Sequence, residues 1–167
     1  MAYIYKRKYV IKGAYMAYWR MQLHPADPDR AVKYCVESLA AGYIGLDFSE
    51  NVGDLMHVNQ EELPISEQDY WLFAHEMKRG DTVLIIAHHF PFALVQIAGD
   101  YNYIRKKDRR LGLWFRHFRK VDNVRYYADY VTNANEWESI TMTDTLSPLR
   151  RQNTESYRLI EEWLHSN

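Results

Sequence analysis

Runs of apolar residues, bounded by Gly, Pro, Asn and Asp, predict a chain built largely from short strands. Four apolar runs have strand length and lie at residues 14–23, 43–48, 82–87 and 92–98. The segments 111–121 and 124–131 mix apolar and polar positions and predict two further strands. The link His88-His89-Phe90-Pro91 predicts a hairpin-like connection. Together these runs favour a mostly antiparallel sheet or barrel.

Helical signals occur at three places. The pair Asp27-Pro28 puts an N-cap residue before a proline, and Gly42 suits a C-cap, so a helix is predicted over 28–41. Its expected inner face is Ala31, Val32, Cys35, Leu39 and Ala40. A second helix starts with capping-box chemistry at 66–69, and its apolar stripe is Tyr70, Phe73, Ala74 and Met77. A third is predicted over 151–164, with an inner side formed by Tyr157, Ile160, Trp163 and Leu164.

These elements fit one domain of the α+β class, because 167 residues are enough to bury a single core. We expect a small antiparallel β-barrel flanked by about three helices. Residues 14–145 would form this domain, after an N-terminal arm or first strand at 1–13. The C-terminal segment 146–167 would carry a helix that packs on the domain or leads to a further one. Residues 133–144 are expected to be irregular.

Charge is distributed unevenly along the chain, although the formal net charge is only −1. Residues 26–81 contain twelve acidic and four basic residues. Residues 98–125 contain nine Arg and Lys residues and three Asp residues, which gives a local net charge of +6. The overall balance excludes a general electrostatic coat for nucleic acid, so any such contact needs a polarised surface.

The basic segment also carries aromatic rings. This combination is typical of a nucleic-acid contact surface, because cations neutralise phosphates and flat rings stack on bases. The expected phosphate contacts are Arg105, Lys106, Lys107, Arg109, Arg110, Arg116, Arg119 and Lys120. Among the rings, Phe115 and Phe118 are expected in the core, and Trp114 is the main candidate for contact with a base.

The sequence carries no signal for catalysis or for a cofactor. It has no P-loop or Rossmann glycine spacing and no nucleophile elbow, so neither a catalytic residue nor a bound cofactor is expected. His88 and His89 are not expected to share a metal ion, because neighbours on a strand point to opposite faces. The single Cys35 excludes an intrachain disulfide and a Cys-rich zinc site, and a buried, inert thiol is expected.

Targeting signals are also absent from the sequence. No apolar run is long enough to span a membrane, so no membrane partner is expected. Residues 1–13 lack the apolar region and cleavage site of a signal peptide. The expected location is therefore the reducing cytoplasm.

Aromatic residues recur near the predicted strand ends. If these ends converge on one barrel mouth, the rings wall a pocket that holds a flat base by stacking, worth ~1–3 kcal/mol per base. The carboxylate of Asp47 could then accept a hydrogen bond from a base amino group. The candidate pocket residues are Tyr18, Trp19, Asp47, Phe48, His88, Phe90 and Trp114. For any single ring, packing in the core is the alternative.

Several motifs follow one another in a characteristic order over about residues 14–130. They are Tyr18-Trp19, the helix at 28–41, the segments 42–48, 53–55, 77–84 and 95–103, and His117-Phe118-Arg119-Lys120-Val121. This series resembles the EVE branch of the PUA-like superfamily, whose relatives include YTH domains. The resemblance implies a small β-barrel that binds nucleic acid and inserts one flipped, modified base into an aromatic cage. The cage positions it implies are Trp19, Phe48 and the residues around Trp114; the family often has tryptophan where this chain has Phe48.

Three functions follow as hypotheses. The first is a specificity module that recognises a modified, methylated base in double-stranded DNA. It is similar to the N-terminal domains of McrB-like modification-dependent restriction enzymes, in which a fused or associated AAA+ motor and nuclease would supply any enzymatic activity. The second is an RNA-binding PUA-like module. The third is a small-ligand-binding or enzymatic barrel that uses His88, His89 and Asp47.

Overall fold

The computed structural model describes residues 16–23, 30–47, 51–127 and 139–166. In this part of the chain, six strands form one curled, half-barrel sheet in the order β2-β5-β4-β3-β1-β6. The strands are β1 Tyr18–Gln22, β2 Tyr43–Leu46, β3 Thr82–Ala87, β4 Phe90–Tyr103, β5 His117–Tyr126 and β6 Leu146–Pro148. β1 and β3 are parallel, and all other neighbouring strands are antiparallel.

The described residues also contain three helices. α1 spans Ala31–Ala40, and α3 spans Glu155–His165. α2 spans Gln68–Trp71 and continues as a π-helical turn over Leu72–Glu76. The predicted α+β class, with a mostly antiparallel sheet and three helices, is therefore confirmed at this level. No helix of the described ranges is both long and apolar enough to cross a membrane.

The sheet has a core on each of its faces, and this explains why every residue of β3 is buried. Because side chains alternate along a strand, Val83, Ile85 and Ala87 pack in the main core. Leu84 and Ile86 point the other way, into a smaller cluster that includes Ile160 of α3. The main core lies under α1 and α2 and includes Cys35, Tyr70 and Phe73. The C-terminal helix thus packs directly on the sheet.

Glycines change the bounds of two strands from those predicted. β4 continues past Gly99, where its register with β5 shifts between Ile97 and Tyr101. β5 does not begin at Leu111, because Gly112 adopts a left-handed conformation with φ +69° and ends a 3-10 turn. The two predicted strands, 111–121 and 124–131, are therefore replaced by the single strand β5, His117–Tyr126. Residues 128–131 lie outside the described residues.

The inward faces of α1 and α3 also differ from the prediction. In α1, Tyr34 and Ser38 are buried, whereas Val32 and Ala40 are exposed. The cause is helical spacing: positions 31, 34, 35, 38 and 39 share one face, and Val32 lies beside it. α3 buries Ile160, but Leu164 is 39% exposed. The predicted first turn of α1, with Asp27-Pro28, lies outside the described residues.

Candidate functional site

The predicted pocket residues do not meet at one mouth of the sheet. Trp19 is 2% exposed and packs in the main core. Its indole N–H donates to Asp81 Oδ2 at 2.8 Å. Both the ring and its polar group are therefore satisfied inside the protein. This corrects the expectation that Trp19 walls an open cage.

Three other predicted pocket positions lie far from Asp47. Tyr18 packs under α3, where its hydroxyl donates to Glu161 Oε1 at 2.7 Å. His88 and Phe90 lie at the β3–β4 hairpin. This hairpin is at the start of β4, whereas Asp47 is near the opposite end of that strand. At that end β4 pairs with the start of β5, which also pairs with the end of β2 just before Asp47. The convergence that the sequence predicted is therefore wrong for Tyr18, His88 and Phe90.

Trp114 is half-buried and is covered on two sides. Its ring packs edge-on against Tyr34 of α1, with ring centroids 4.3 Å apart. The guanidinium of Arg109 lies 5.0 Å from its ring centroid, as a cation–π contact. Trp114 thus anchors the basic loop to α1, and Arg109 occupies one face on which a base was expected to stack. Phe48 lies outside the described residues, so its role stays a prediction.

Asp47 joins the end of β2 to the basic loop. Its carboxylate accepts from Arg116 Nη2 at 2.6 Å and Arg116 Nε at 2.8 Å. Lys107 Nζ lies 2.9 Å from the other oxygen, and the Asp47 side chain is only 2% exposed. Both oxygens are therefore already paired. Asp47 positions the loop in this structure, which corrects its expected role as an acceptor for a base amino group.

Gly45 allows β2 to approach β5 this closely. A Cβ atom at Gly45 would lie 2.4 Å from the carbonyl oxygen of His117 and 2.7 Å from Cβ of Phe115. Real Cβ contacts are essentially never this short. The glycine therefore lets the start of β5 pass directly beside the end of β2, which brings Arg116 to Asp47.

Next to this ion pair lies an aromatic group that we call the His117 cluster, formed by His117, Tyr70, Tyr101 and Tyr103. The ring of Tyr70 packs edge-on to His117 at 4.6 Å, and the ring of Tyr101 is nearly parallel to it at 6.0 Å. Tyr103 lies opposite His117 on the paired strand, with ring centroids 5.2 Å apart. Tyr70 is fully buried, whereas Tyr101 and Tyr103 are partly exposed.

Hydrogen bonding fixes the tautomer of His117. The hydroxyl of Tyr101 accepts from the Leu55 backbone N–H at 3.1 Å and lies 2.8 Å from His117 Nδ1. Because this hydroxyl already accepts from Leu55 and its own proton has no other acceptor among the described residues, we assign the second bond as Tyr101 O–H donating to Nδ1. The proton of the neutral imidazole is then on Nε2. That buried Nε2 has no hydrogen-bond partner among the described residues.

His117 is neutral at physiological pH. It is 0% exposed, and burial lowers the pKa of its imidazole to about 4. The nearby Asp47 opposes this shift and Arg116 supports it. The cluster therefore holds a neutral, fully buried imidazole beside partly exposed rings.

Six of the eight predicted phosphate contacts are exposed, five of them in the loop between β4 and β5 and one, Lys120, in β5. Arg105, Lys106, Lys107, Arg109, Arg110 and Lys120 are all exposed. Arg105 and Lys106 form no ion pair within the described ranges, whereas Arg110 pairs with Asp108 at 3.1 Å. The loop begins just after Tyr103 and ends at His117, so it lies beside the His117 cluster. Because these side chains are exposed, they are accessible to phosphate, and their contact with it stays a prediction.

Two of the predicted phosphate contacts face inward instead. Arg116 is held by Asp47, and its side chain is 15% exposed. Arg119 is 4% exposed, and its guanidinium donates to the carbonyls of Phe73 at 2.9 Å and Ala74 at 3.0 Å. These carbonyls belong to the π-helical turn, so Arg119 caps that turn. The inward residues of β5 alternate, and Arg119 shares their side with His117 and Val121.

Metal and thiol chemistry receive little support from the described part of the chain. Nowhere in it do three His, Cys, Asp or Glu side chains gather closely enough to hold a metal ion. The rings of His88 and His89 are only 4.2 Å apart, because His88 has φ +62° in a turn and strand alternation does not apply. Cys35 is buried as predicted, and burial raises the pKa of its thiol.

Sequence reasoning missed the His117 cluster, although each of its residues was visible. Tyr101 and Tyr103 are two positions apart, and side chains at that spacing share one face of a strand. The cluster needs β4 to continue beyond Gly99, so that Tyr103 pairs with His117. A strand prediction that allowed a bulge at Gly99 would have placed these rings together.

The described residues thus form an α+β fold with a half-barrel sheet and a basic loop beside an aromatic cluster. Among known families, a model described as a domain of unknown function, DUF8426, matches residues 19–150. The match covers most of the chain, so the chain belongs to this family. No curated protein matches the sequence.

The buried His117 predicts that the protein loses stability in acid. The unfolded chain binds a proton at this imidazole below pH ~6.5, whereas the folded chain binds one only near pH 4. Stability from this group is thus fully present above pH ~6.5 and is lost as the pH falls through about 4. The loss is about 3 kcal/mol in the free energy of unfolding.

Urea unfolding between pH 7.5 and pH 4 measures this effect, with His117→Gln as the comparison. Glutamine does not titrate, so the decline of stability with falling pH should be shallower in this variant, whatever its stability at neutral pH. Parallel pH profiles for the two proteins would show that His117 is not the responsible group.

Proposed function

We propose that this chain is a nucleic-acid-binding specificity module that recognises one modified, methylated base flipped out of double-stranded DNA. The observation that carries the proposal is the position of the exposed cationic loop directly beside the His117 cluster. The loop supplies phosphate contacts, which hold a duplex without reading its sequence. The cluster supplies partly exposed rings, those of Tyr101 and Tyr103, on which a flat base can stack.

The PUA-like, EVE-type architecture suggested by the order of motifs supports this proposal together with the six-stranded half-barrel sheet. In this proposal the base-binding site is centred on Tyr103 and His117, with Phe48 as a further candidate from the sequence. Trp19 instead packs in the main core, where it stabilises the fold. The chain itself performs no catalysis in this proposal, and a fused or associated AAA+ motor and nuclease would act on the bound DNA.

The unpaired Nε2–H of His117 is the strongest chemical argument for a ligand at the cluster. A buried donor without a partner costs roughly 1–3 kcal/mol. An acceptor atom on a bound base would remove that cost, provided that entry of the base displaces the side chains that bury His117. Flipping a base costs a few kcal/mol of unstacking, which the ring contacts and this hydrogen bond would offset.

A direct comparison of duplexes tests the proposal. Fluorescence anisotropy at one fixed salt concentration would measure the affinity for duplexes that each carry one common modification, for the unmodified duplex and for RNA of the same sequence. A buried methyl group contributes about 0.8 kcal/mol, so the preferred modified duplex should bind at least about fourfold more tightly than the unmodified one. Equal affinity for every modified and unmodified duplex would contradict the proposal. Tighter binding of RNA than of any duplex would favour an RNA-binding module.

A further inference from the structure

A cleft with a volume of about 520 Å³ lies beside the π-helical turn, apart from the basic loop. Three of the side chains that line it are cations, Lys78, Arg79 and Arg119, and one is an acid, Asp100. The net charge of these four groups is therefore +2. The cleft also has apolar walls, formed in part by Met56 and Met77.

Arg119 lies at the buried side of this cleft and retains hydrogen-bonding capacity. Its guanidinium has five N–H donors. Three contacts are made, all with backbone carbonyls: Phe73, Ala74 and, at 3.2 Å, Gly99. Arg119 forms no ion pair in the residues that the structure describes. It is thus a buried cation with two N–H donors that these contacts do not use, and the carboxylates of Asp100 and Asp81 act on it only through space.

The exposed side of the cleft can rearrange at low cost. Lys78 is exposed and has no ion-pair partner in the described ranges. Arg79 holds Asp100 through two hydrogen bonds of 2.6 and 3.0 Å, and both side chains are largely exposed. Exposed pairs of this kind contribute little to stability, so an incoming anion could replace the Asp100 carboxylate.

We propose that this cleft binds a phosphate group, with Arg119 at its floor and Lys78 and Arg79 at its rim. Guanidinium groups match the oxygens of phosphate in a fork, and an ammonium group adds a point charge. The phosphate of a nucleic-acid backbone and free inorganic phosphate share this chemistry. The inference does not depend on recognition of a modified base, because it needs only the cleft and its charges.

Methionine methyl NMR reports on this site, because the chain contains only six methionines. Met56 and Met77 line the cleft, whereas Met142 packs in the small cluster with Ile160 and is the internal control. Inorganic phosphate should shift the Met56 and Met77 resonances with a saturable profile and leave Met142 unchanged. A titration with chloride at matched ionic strength removes general salt effects.

Two exposed variants should change the affinity in opposite directions. Lys78→Ala removes a cation and should weaken phosphate binding at least about threefold. Asp100→Asn removes the competing carboxylate and should tighten binding at least about threefold. Lys33→Ala, on the exposed face of α1, is the matched control and should leave the affinity for inorganic phosphate unchanged. Equal affinity in all four proteins, or an absence of saturable shifts at Met56 and Met77, would overturn the inference.

A parallel titration with a DNA duplex identifies the source of the phosphate. Shifts at Met56 and Met77 at lower concentrations of duplex than of inorganic phosphate would assign the cleft to the nucleic-acid backbone. Shifts with inorganic phosphate alone would assign it to a free phosphate. A phosphate site without any preference for modified duplexes would leave this inference intact and contradict the proposed function, so the two can fail separately.

Discussion

Replacing Asp81 with alanine is expected to lower the free energy of unfolding by about 3–4 kcal/mol. Asp81 is 4% exposed and accepts three hydrogen bonds, from Trp19 Nε1 at 2.8 Å, the Lys78 backbone N–H at 2.9 Å and the Ala17 backbone N–H at 3.0 Å. Alanine would leave all three donors without this partner, one of them the buried indole. Chemical denaturation of both proteins measures the difference.

Two control substitutions separate this buried network from a general effect of charge. Asp100→Ala removes an exposed carboxylate, whose pair with Arg79 is open to solvent, and should cost less than about 0.5 kcal/mol. Trp19→Phe keeps Asp81 but removes the indole donor together with part of the buried ring, and should cost about 2–3 kcal/mol. A cost for Asp81→Ala that equals the cost for Asp100→Ala would show that Asp81 does not hold β1 to the start of β3.

Removing three cations from the loop between β4 and β5 is expected to weaken DNA binding by about 10²-fold near 0.1 M salt. The variant combines Arg105→Ala, Lys106→Ala and Arg110→Ala, all at exposed positions. Each lost phosphate contact should lower the slope of log affinity against log salt by about 0.9, so the slope should fall by about 3. Modified and unmodified duplexes should lose affinity equally, because phosphate contacts do not read the base.

The matched control for the loop variant removes three cations around α3. Arg150, Arg151 and Arg158 are also exposed, and their combined replacement by alanine changes the net charge by the same amount. We expect its affinity and salt slope to stay within about twofold of the unchanged protein. If both variants weaken binding equally, the effect comes from net charge, and the loop is not the contact surface.

Strands with a strong apolar signal could be predicted from the sequence, and β3 shows why. All six of its residues are buried because the sheet has a core on both faces, so the run reads as continuously apolar. β5 gives no such signal, because polar residues also occupy its inward positions. His117 and Arg119 point inward with Val121, and only the cap on the π-helical turn explains a buried arginine there.

The composition of the candidate site could be predicted better than its arrangement. The sequence indicated a segment rich in cations and rings, and six of its eight expected phosphate contacts are exposed. It could not indicate that Asp47 pairs with both Arg116 and Lys107, since those contacts depend on how the loop returns to β2. The burial of Trp19 depends likewise on Asp81, which is 62 residues away in the chain.

Recognition of a modified base by the rings beside His117 is tested most directly by a thermodynamic cycle on Tyr103. Dissociation constants for the preferred modified duplex and its unmodified counterpart would be measured with the unchanged protein, Tyr103→Phe and Tyr103→Ala at one salt concentration. We predict a preference of at least about fourfold in the unchanged protein and in Tyr103→Phe, which keeps the ring. In Tyr103→Ala the preference should fall towards one, while affinity for the unmodified duplex stays nearly constant. A preference that is the same in all three proteins would contradict the claim.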